Sequence, residues 1–402
     1  MTIGVGGSSP NDELEKLGNM AANAVDIGID EYRGRIDRLR NLMDGNDLQG
    51  VFLNAGTNLR YFTGTRWHPS ERMVGALIPR EGDITYIAPA FERDTLLDFM
   101  QIEGDVRCWH EHESPYELLR DITTGFGLQR TTLGIDESTP FFMYDGIMSA
   151  CASMRFRSAH PVTQGCRMLK SSAEIALLQC AKDLTLEVHR AAARILKPGI
   201  TTPEVTEFID AAHKAAGALE GSGFCIVLFG EATAYPHGVR HAQTLADGDM
   251  VLIDTGCRLF GYHSDITRSY VYGEPSDRQR SIWDVEHAAQ AEAFAAARPG
   301  SPCSAVDLAA RSFLERRGFG PGYALPGLPH RTGHGIGLDI HEGPYLVRGD
   351  DTPLEAGMCF SNEPMICVPG EFGIRLEDHF YITPDGPAWF TQPSHSIDHP
   401  FG

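Results

Sequence analysis

The stretch MVLIDTGCRLFGYHSDITRSYVYG, residues 250–273, decides how the chain is read. Val251, Leu252 and Ile253 form the apolar run of a buried strand, yet the run ends in Asp254. An unpaired carboxylate in a core is very costly, so that charge must be compensated. Gly256 and Gly261 suit a hairpin connection, and DITRSYVYG reads as the return strand, beginning at Asp265. Such a hairpin sets two carboxylates side by side, where repulsion would force one of them neutral. A divalent cation between them removes the conflict.

Two later stretches carry more residues of the same chemistry. HRTGHGIGLDIHEGP, residues 330–344, holds His330, His334 and His341 among glycines. It is not an HExxH zinc motif, because no histidine follows Glu342 at the required spacing. Gly333, Gly335 and Gly337 are not framed by a strand and a helix as a phosphate loop would be, so they read as places where the backbone passes close to something. MCFSNEPMICVPGEFGIRLEDHFYIT, residues 358–383, places Glu363 before Pro364 and Glu377 inside a strand pattern, where glutamate is disfavoured. An exposed face or an ion pair with Arg375 would account for Glu377 taken alone. Four carboxylates and one or more imidazoles in such positions suit two divalent ions sharing bridging carboxylates. Oxygen-rich ligation favours manganese, with cobalt, iron or zinc also able to fit.

The remainder of the chain frames these stretches. Its 402 residues imply two domains. The expected division is a flexible lead-in over 1–28, an α/β domain over 29–165 and a catalytic domain over 166–402. In the first domain YRGRIDRLRNLMDGNDL has helical spacing, while GVFLNAG, ALIPREG and ITYIAP read as short strands. Ser171 and Glu174 form a capping box before a long helix, and Thr202 with Pro203 opens a second one. This helix, Pro-Gly, helix order returns 101 residues later, from Pro198-Gly199 to Pro299-Gly300. It implies an internally duplicated domain with two helix pairs flanking a curved sheet. A net charge of −20 without a basic block argues against nucleic acid as a partner. No apolar run is long enough to span a membrane, and the scattered nine cysteines fit a reducing cytoplasm.

The order Asp, Asp, His, Glu, Glu in IDTGCRLFGYHSDITRS, GHGIGLDIHE, NEPMI and IRLED resembles the metal-dependent Xaa-Pro peptidases, the family of prolidase and aminopeptidase P. NLRYFTG and RMLKSSAEIALLQCA are similar to the same group, so the likeness covers the chain from about residue 30 onward. The resemblance implies a creatinase-like N-terminal domain followed by a pita-bread domain with pseudo-twofold duplication. It implies that Asp254 binds one metal, that Asp265 and Glu377 bridge two, and that His334 and Glu363 complete the other. A water or hydroxide between the ions would be the nucleophile, with the ions about 3.5 Å apart. Glu363 would carry its proton, and His237, His341 and His330 would line the substrate site. The same resemblance implies short proline-containing peptides as substrates and a homodimer. Trp67 and His68, in RYFTGTRWHPSERM, would then lie near the dimer interface and wall the cleft. The creatinase-like hydrolases of this fold lack the full ligand set present here. A metal-dependent lyase or C–N hydrolase acting on a small non-peptide substrate stands as the alternative. Prolidases often place an arginine soon after the equivalent of His341 to receive a product carboxylate. This chain has Tyr345 there, and Arg348 slightly later.

Overall fold

The structure, a computed structural model, describes residues 2–401. It forms two compact units, Ile27–Arg167 and a unit combining Met1–Asp26 with Met168–Gly402.

The Ile27–Arg167 unit is built on a six-stranded mixed sheet. Its order is Asp105–Trp109, Thr85–Pro89, Gly75–Pro79, Gly50–Asn54, Thr132–Ile135 and Arg155–Ser158. The segments read as strands, GVFLN, GALIP and TYIAP, lie at its centre and are buried throughout. Burial on both faces explains why they are continuous apolar runs without alternation. The helix Ile29–Gly45 buries Ile36, Leu39 and Met43, the face that its spacing defined. Tyr61 and Phe62 lie in this unit's own core. Trp67 packs edge-on against Phe99, with ring centroids 5.9 Å apart, and His68 is exposed.

The other unit repeats itself. The helices Ser172–Arg194 and Thr202–Ala216 precede three antiparallel strands, Ser222–Phe229, Met250–Leu259 and Ile266–Val271. The helices Asp277–Ala296 and Cys303–Arg316 precede a five-stranded sheet, which includes Gly333–Gly335, Glu342–Leu346, Cys359–Asn362 and Asp378–Thr383. Ser171 and Glu174 close the expected capping box. The second cap lies one residue earlier than expected, at Thr201, because Glu204 reaches back to the Thr201 amide and hydroxyl.

The strand Met250–Leu259 is the seam between the two halves, with a neighbour on each edge. Val251 and Ile253 point into a core shared with the first helix pair. Met250 and Leu252 point the other way, into a core shared with Trp283, Ile366 and Ile374 of the second half. The run is apolar at every position because both faces are buried. Each such side chain contributes about 1.5–3 kcal/mol. By strand alternation Asp254 follows Leu252 onto the face that meets the second half.

The segment expected to be a flexible lead-in is instead part of this unit. Ser9 caps a helix over Pro10–Lys16, with Pro10 in the first turn. Thr2 donates its hydroxyl to the Val271 carbonyl at 2.7 Å. Glu13 is fully buried, and its carboxylate accepts from Ser8 at 2.6 Å, Lys16 at 2.7 Å and Arg194 at 2.6 Å. Ser8 and Lys16 are local, but Arg194 lies 181 residues away, and a partner that distant gives no local signal. Burial alone would raise the Glu13 carboxyl, but Lys16, Ser8 and Arg194 outweigh it and hold the group at about 2. A depressed acid stabilises the fold fully above its ordinary value near 4.5, and that contribution fades as pH falls towards 2. Glu13→Gln is therefore expected to cost about 1–3 kcal/mol at pH 7. Thermal melts of both proteins should show a gap that narrows between pH 4.5 and pH 2.5; a gap independent of pH would contradict the assignment.

Candidate metal centre

Asp254 lies directly across the ladder from Thr267, so both side chains stand on the same face. Asp265 precedes the strand Ile266–Val271 by one residue, a one-residue shift from the expected start. Close approach at this turn depends on Gly256: a Cβ there would fall 1.8 Å from the Ser264 carbonyl oxygen. The glycines around His334 serve the same end. A Cβ on Gly333 would sit 2.1 Å from the Ser361 oxygen, and one on Gly335 2.5 Å from the Glu342 oxygen. The backbone carrying His334 is thereby pressed between its neighbouring strands.

Asp265, His334, Glu363 and Glu377 converge. His334 Nε2 lies 3.2 Å from Glu363 Oε1 and 3.7 Å from Asp265 Oδ2. His334, Glu363 and Glu377 can bring one ligand atom each within 4.8 Å of one another, and so can Asp265, His334 and His341. Asp254 is in none of those groups, and Arg375 holds its Oδ2 in an ion pair, but it lies close enough to Asp265 and Glu363 to bear on both. Arg375 was the expected partner of Glu377; its Nε instead donates to Thr267 Oγ1 at 3.0 Å, and Thr267 donates to Glu377 Oε2 at 2.7 Å. Glu377 is 1 % exposed, so an exposed strand face does not account for it. Gln290, on the helix Asp277–Ala296, supports both glutamates from behind. Its side-chain amide donates to the Asn362 carbonyl at 3.2 Å and the Leu376 carbonyl at 3.1 Å, one residue before each.

The electrostatics require a cation. Burial pushes the Asp265 and Glu377 carboxyls well above the usual range, and neighbouring carboxylates push them further. Burial raises Asp254 too, with Arg375 opposing. Asp254 Oδ1 and Asp265 Oδ1 are buried without a hydrogen-bond partner. His334 Nδ1 faces the Gly335 carbonyl at 2.9 Å, which places a proton on Nδ1 and turns Nε2 towards Glu363 and Asp265. Several buried acids facing one another repel, and a divalent ion among them reverses the sign. The donor set of carboxylate oxygens with one imidazole fits such ions.

The remaining expected residues surround this cluster. The His341 and His334 ring centroids are 4.1 Å apart. Burial, then His334, lowers His341 to about 4, so it is a neutral donor near pH 7. His237 is exposed and close enough to bear on His341; the preceding Pro236 carbonyl accepts from Arg375 Nη1 at 3.2 Å. His330 turns Nδ1 to the Arg331 carbonyl at 2.7 Å, and its Nε2 is buried without a partner. Burial lowers its pKa, while Glu363 opposes.

Two residues escaped the sequence reading. His379 is fully buried with Nε2 3.3 Å from Glu377 Oε1; its place two residues after Glu377 was the available signal. Arg331 lies with its guanidinium carbon 4.4 Å over the Tyr345 ring, and Tyr345 is directly opposite His334 in the ladder. Arg348, by contrast, lines a separate hollow of about 360 Å³ with Pro302, Asp307 and Arg311.

Residues 176–384 match the family described as metallopeptidase family M24, and residues 35–169 match the creatinase/prolidase N-terminal domain. The chain is 30% identical to the Xaa-Pro dipeptidase of Lactobacillus helveticus, over 89% of this chain and 96% of that one. It is 29% identical to the Xaa-Pro dipeptidase of Pyrococcus furiosus, over 90% and 99%. Among solved structures, the dipeptidase PepE of Mycobacterium ulcerans superposes with a TM-score of 0.86 at 32% identity, covering 92% of this chain and 98% of that one. The prolidase of Thermococcus sibiricus gives 0.82 at 28% identity, covering 90% and 97%.

Charge relief predicts a stability effect. Manganese at 1,000 times its dissociation constant should stabilise the fold by about 4 kcal/mol. Asp265→Asn should lose most of that gain, because the central oxygen donor becomes neutral. Melting curves with and without the ion decide it; equal responses in both proteins would remove Asp265 from the site.

Proposed function

The chain belongs to metallopeptidase family M24, and from that premise we propose that it hydrolyses the X-Pro bond of short peptides. Asp254, Asp265, His334, Glu363 and Glu377 would hold two divalent cations, with manganese favoured and cobalt, iron or zinc able to substitute. The observation that carries this reading is the convergence of Asp265 and Glu363 on His334 Nε2, with unmatched oxygens on Asp254 and Asp265. Relatives named Xaa-Pro dipeptidase over nearly their full length support the substrate class.

When bound, such ions polarise a carbonyl and make water acidic enough to attack near neutral pH. Glu363 accepts the proton of the attacking water as its oxygen adds to the carbonyl carbon. The same carboxyl returns that proton to the proline nitrogen as the C–N bond breaks, releasing a carboxylate and a free imino group. His341 and His237 donate to the carbonyl oxygen as negative charge develops on it. His330, whose buried Nε2 has no partner among the described residues, lines the substrate site near Glu363. An X-Pro amide has no N–H, so a protease that reads the substrate as an extended hydrogen-bonded strand loses a contact there. A site that works on the carbonyl does not need it.

Arg331 decides the substrate's far end in this reading. Stacked on Tyr345 and felt by His341, it offers its guanidinium to a free carboxylate. That favours dipeptides over longer chains. A homodimer and a cytoplasmic location complete the proposal; they rest on the family and on the nine unpaired cysteines. A second reading keeps the centre and changes the substrate, to a lyase or C–N hydrolase reaction on a small non-peptide molecule.

Turnover of X-Pro, X-Pro-amide and X-Pro-Y by the metal-loaded protein separates these readings. X-Pro should be cleaved fastest. Arg331→Met should lower kcat/KM for X-Pro by about 10–100-fold and spare the amide. No cleavage of any proline peptide would favour the second reading. His341→Ala and His237→Ala should each lose about 10²–10³ in turnover while keeping their metals. Metal loss in either variant would contradict its place on the substrate side.

A further inference from the structure

His379 has no role in the chemistry above, yet it is fully buried beside Glu377. Glu377 immediately precedes the strand Asp378–Thr383, which carries His379, and the two side chains meet. The two Glu377 oxygens have separate neighbours. Oε2 accepts from the Thr267 hydroxyl at 2.7 Å, and Oε1 lies 3.3 Å from His379 Nε2. The His379 ring stands 6.3 Å from that of His334, turned by 78°. Asp265, Glu377 and His379 can also bring one ligand atom each within 4.8 Å of one another. Proximity alone therefore allows two roles, a further ligand or a donor that fixes Glu377.

The opposite ring nitrogens distinguish them. A ligating imidazole nearly always gives its other N–H to an acceptor. His334 does so, with Nδ1 against the Gly335 carbonyl. His379 Nδ1 is buried and has no hydrogen-bond partner among the described residues. As a ligand through Nε2, His379 would bury an orphan N–H donor. As a donor through Nε2, it leaves only a lone pair unmatched. The tautomer is thus assigned from its partners.

We propose that His379 is a positioning residue, whose Nε2–H clamps Glu377 Oε1 while Thr267 clamps Oε2. An ionised carboxylate has about four acceptor positions. One donor on each oxygen leaves a free position on each, and the group cannot swing to chelate a single ion. The inference rests on the two-metal reading and gives Glu377 its bridging geometry.

The test compares His379→Leu and His379→Gln with the parent protein, using manganese affinity by chelator competition and the visible spectrum after cobalt loading. The parent should bind two ions per chain. His379→Leu should bind the weaker ion about 10–100-fold less tightly, and His379→Gln, whose amide N–H can reach Oε1, should stay within about threefold of the parent. Cobalt bands should keep their positions in all three proteins, since no ligand is removed. A cobalt spectrum altered alike in both variants would make His379 a ligand and overturn the proposal. Unchanged affinity in His379→Leu would also overturn it. A parent protein that binds no cation would instead bring down the metal reading, and the clamp with it. Equal far-UV circular dichroism confirms that the variants are folded.

Discussion

Negative charge buried in one place governs this structure. Asp254, Asp265 and Glu377 are each less than a tenth exposed, and Glu363 joins them across His334. Carboxylates cannot all ionise together in a core without compensation. Much of the surrounding architecture supplies it in fixed form. Arg375 pairs with Asp254, Thr267 donates to Glu377, and Arg268 pairs with Asp378 at 2.6 Å while donating to the Glu377 carbonyl at 2.8 Å. These groups hold the acids from outside, and the interior oxygens of Asp254 and Asp265 remain unmatched. A divalent cation, which the family implies, would complement this arrangement.

The duplicated fold explains how the acids meet. The seam strand Met250–Leu259 carries Asp254 on the face it turns to the second half. His334, Glu363 and Glu377 come from that half, at strand ends or in a short strand pressed flat by glycines. Side chains drawn from separate segments of one packed unit thus meet at one place. Gln290 bridges the segments before Glu363 and Glu377, so the helix behind them sets their spacing.

The residues proposed as ligands drew notice because each broke a local rule: an acid after a buried run, histidines among glycines, a glutamate in a strand-like pattern. The helix pairs were legible from Pro-Gly punctuation and capping residues, with an error of one residue at Thr201. Other features depended on distant partners. The helix Pro10–Lys16 owes its place to Arg194, far along the chain. Arg375 looked like a partner for Glu377 in a one-dimensional pattern, yet the fold gives it Asp254. His379 was in plain view two residues after Glu377, but its meaning required knowing that the strand is buried on that face. Arg331 looked like ordinary loop charge until strand pairing set Tyr345 opposite His334.

The most direct test of the account is anomalous diffraction at the manganese edge from crystals grown with that ion. Two peaks are expected, about 3.5–4 Å apart, enclosed by Asp254, Asp265, His334, Glu363 and Glu377. No peak there, or peaks confined to surface acids, would contradict the claim that this buried charge exists to hold metal.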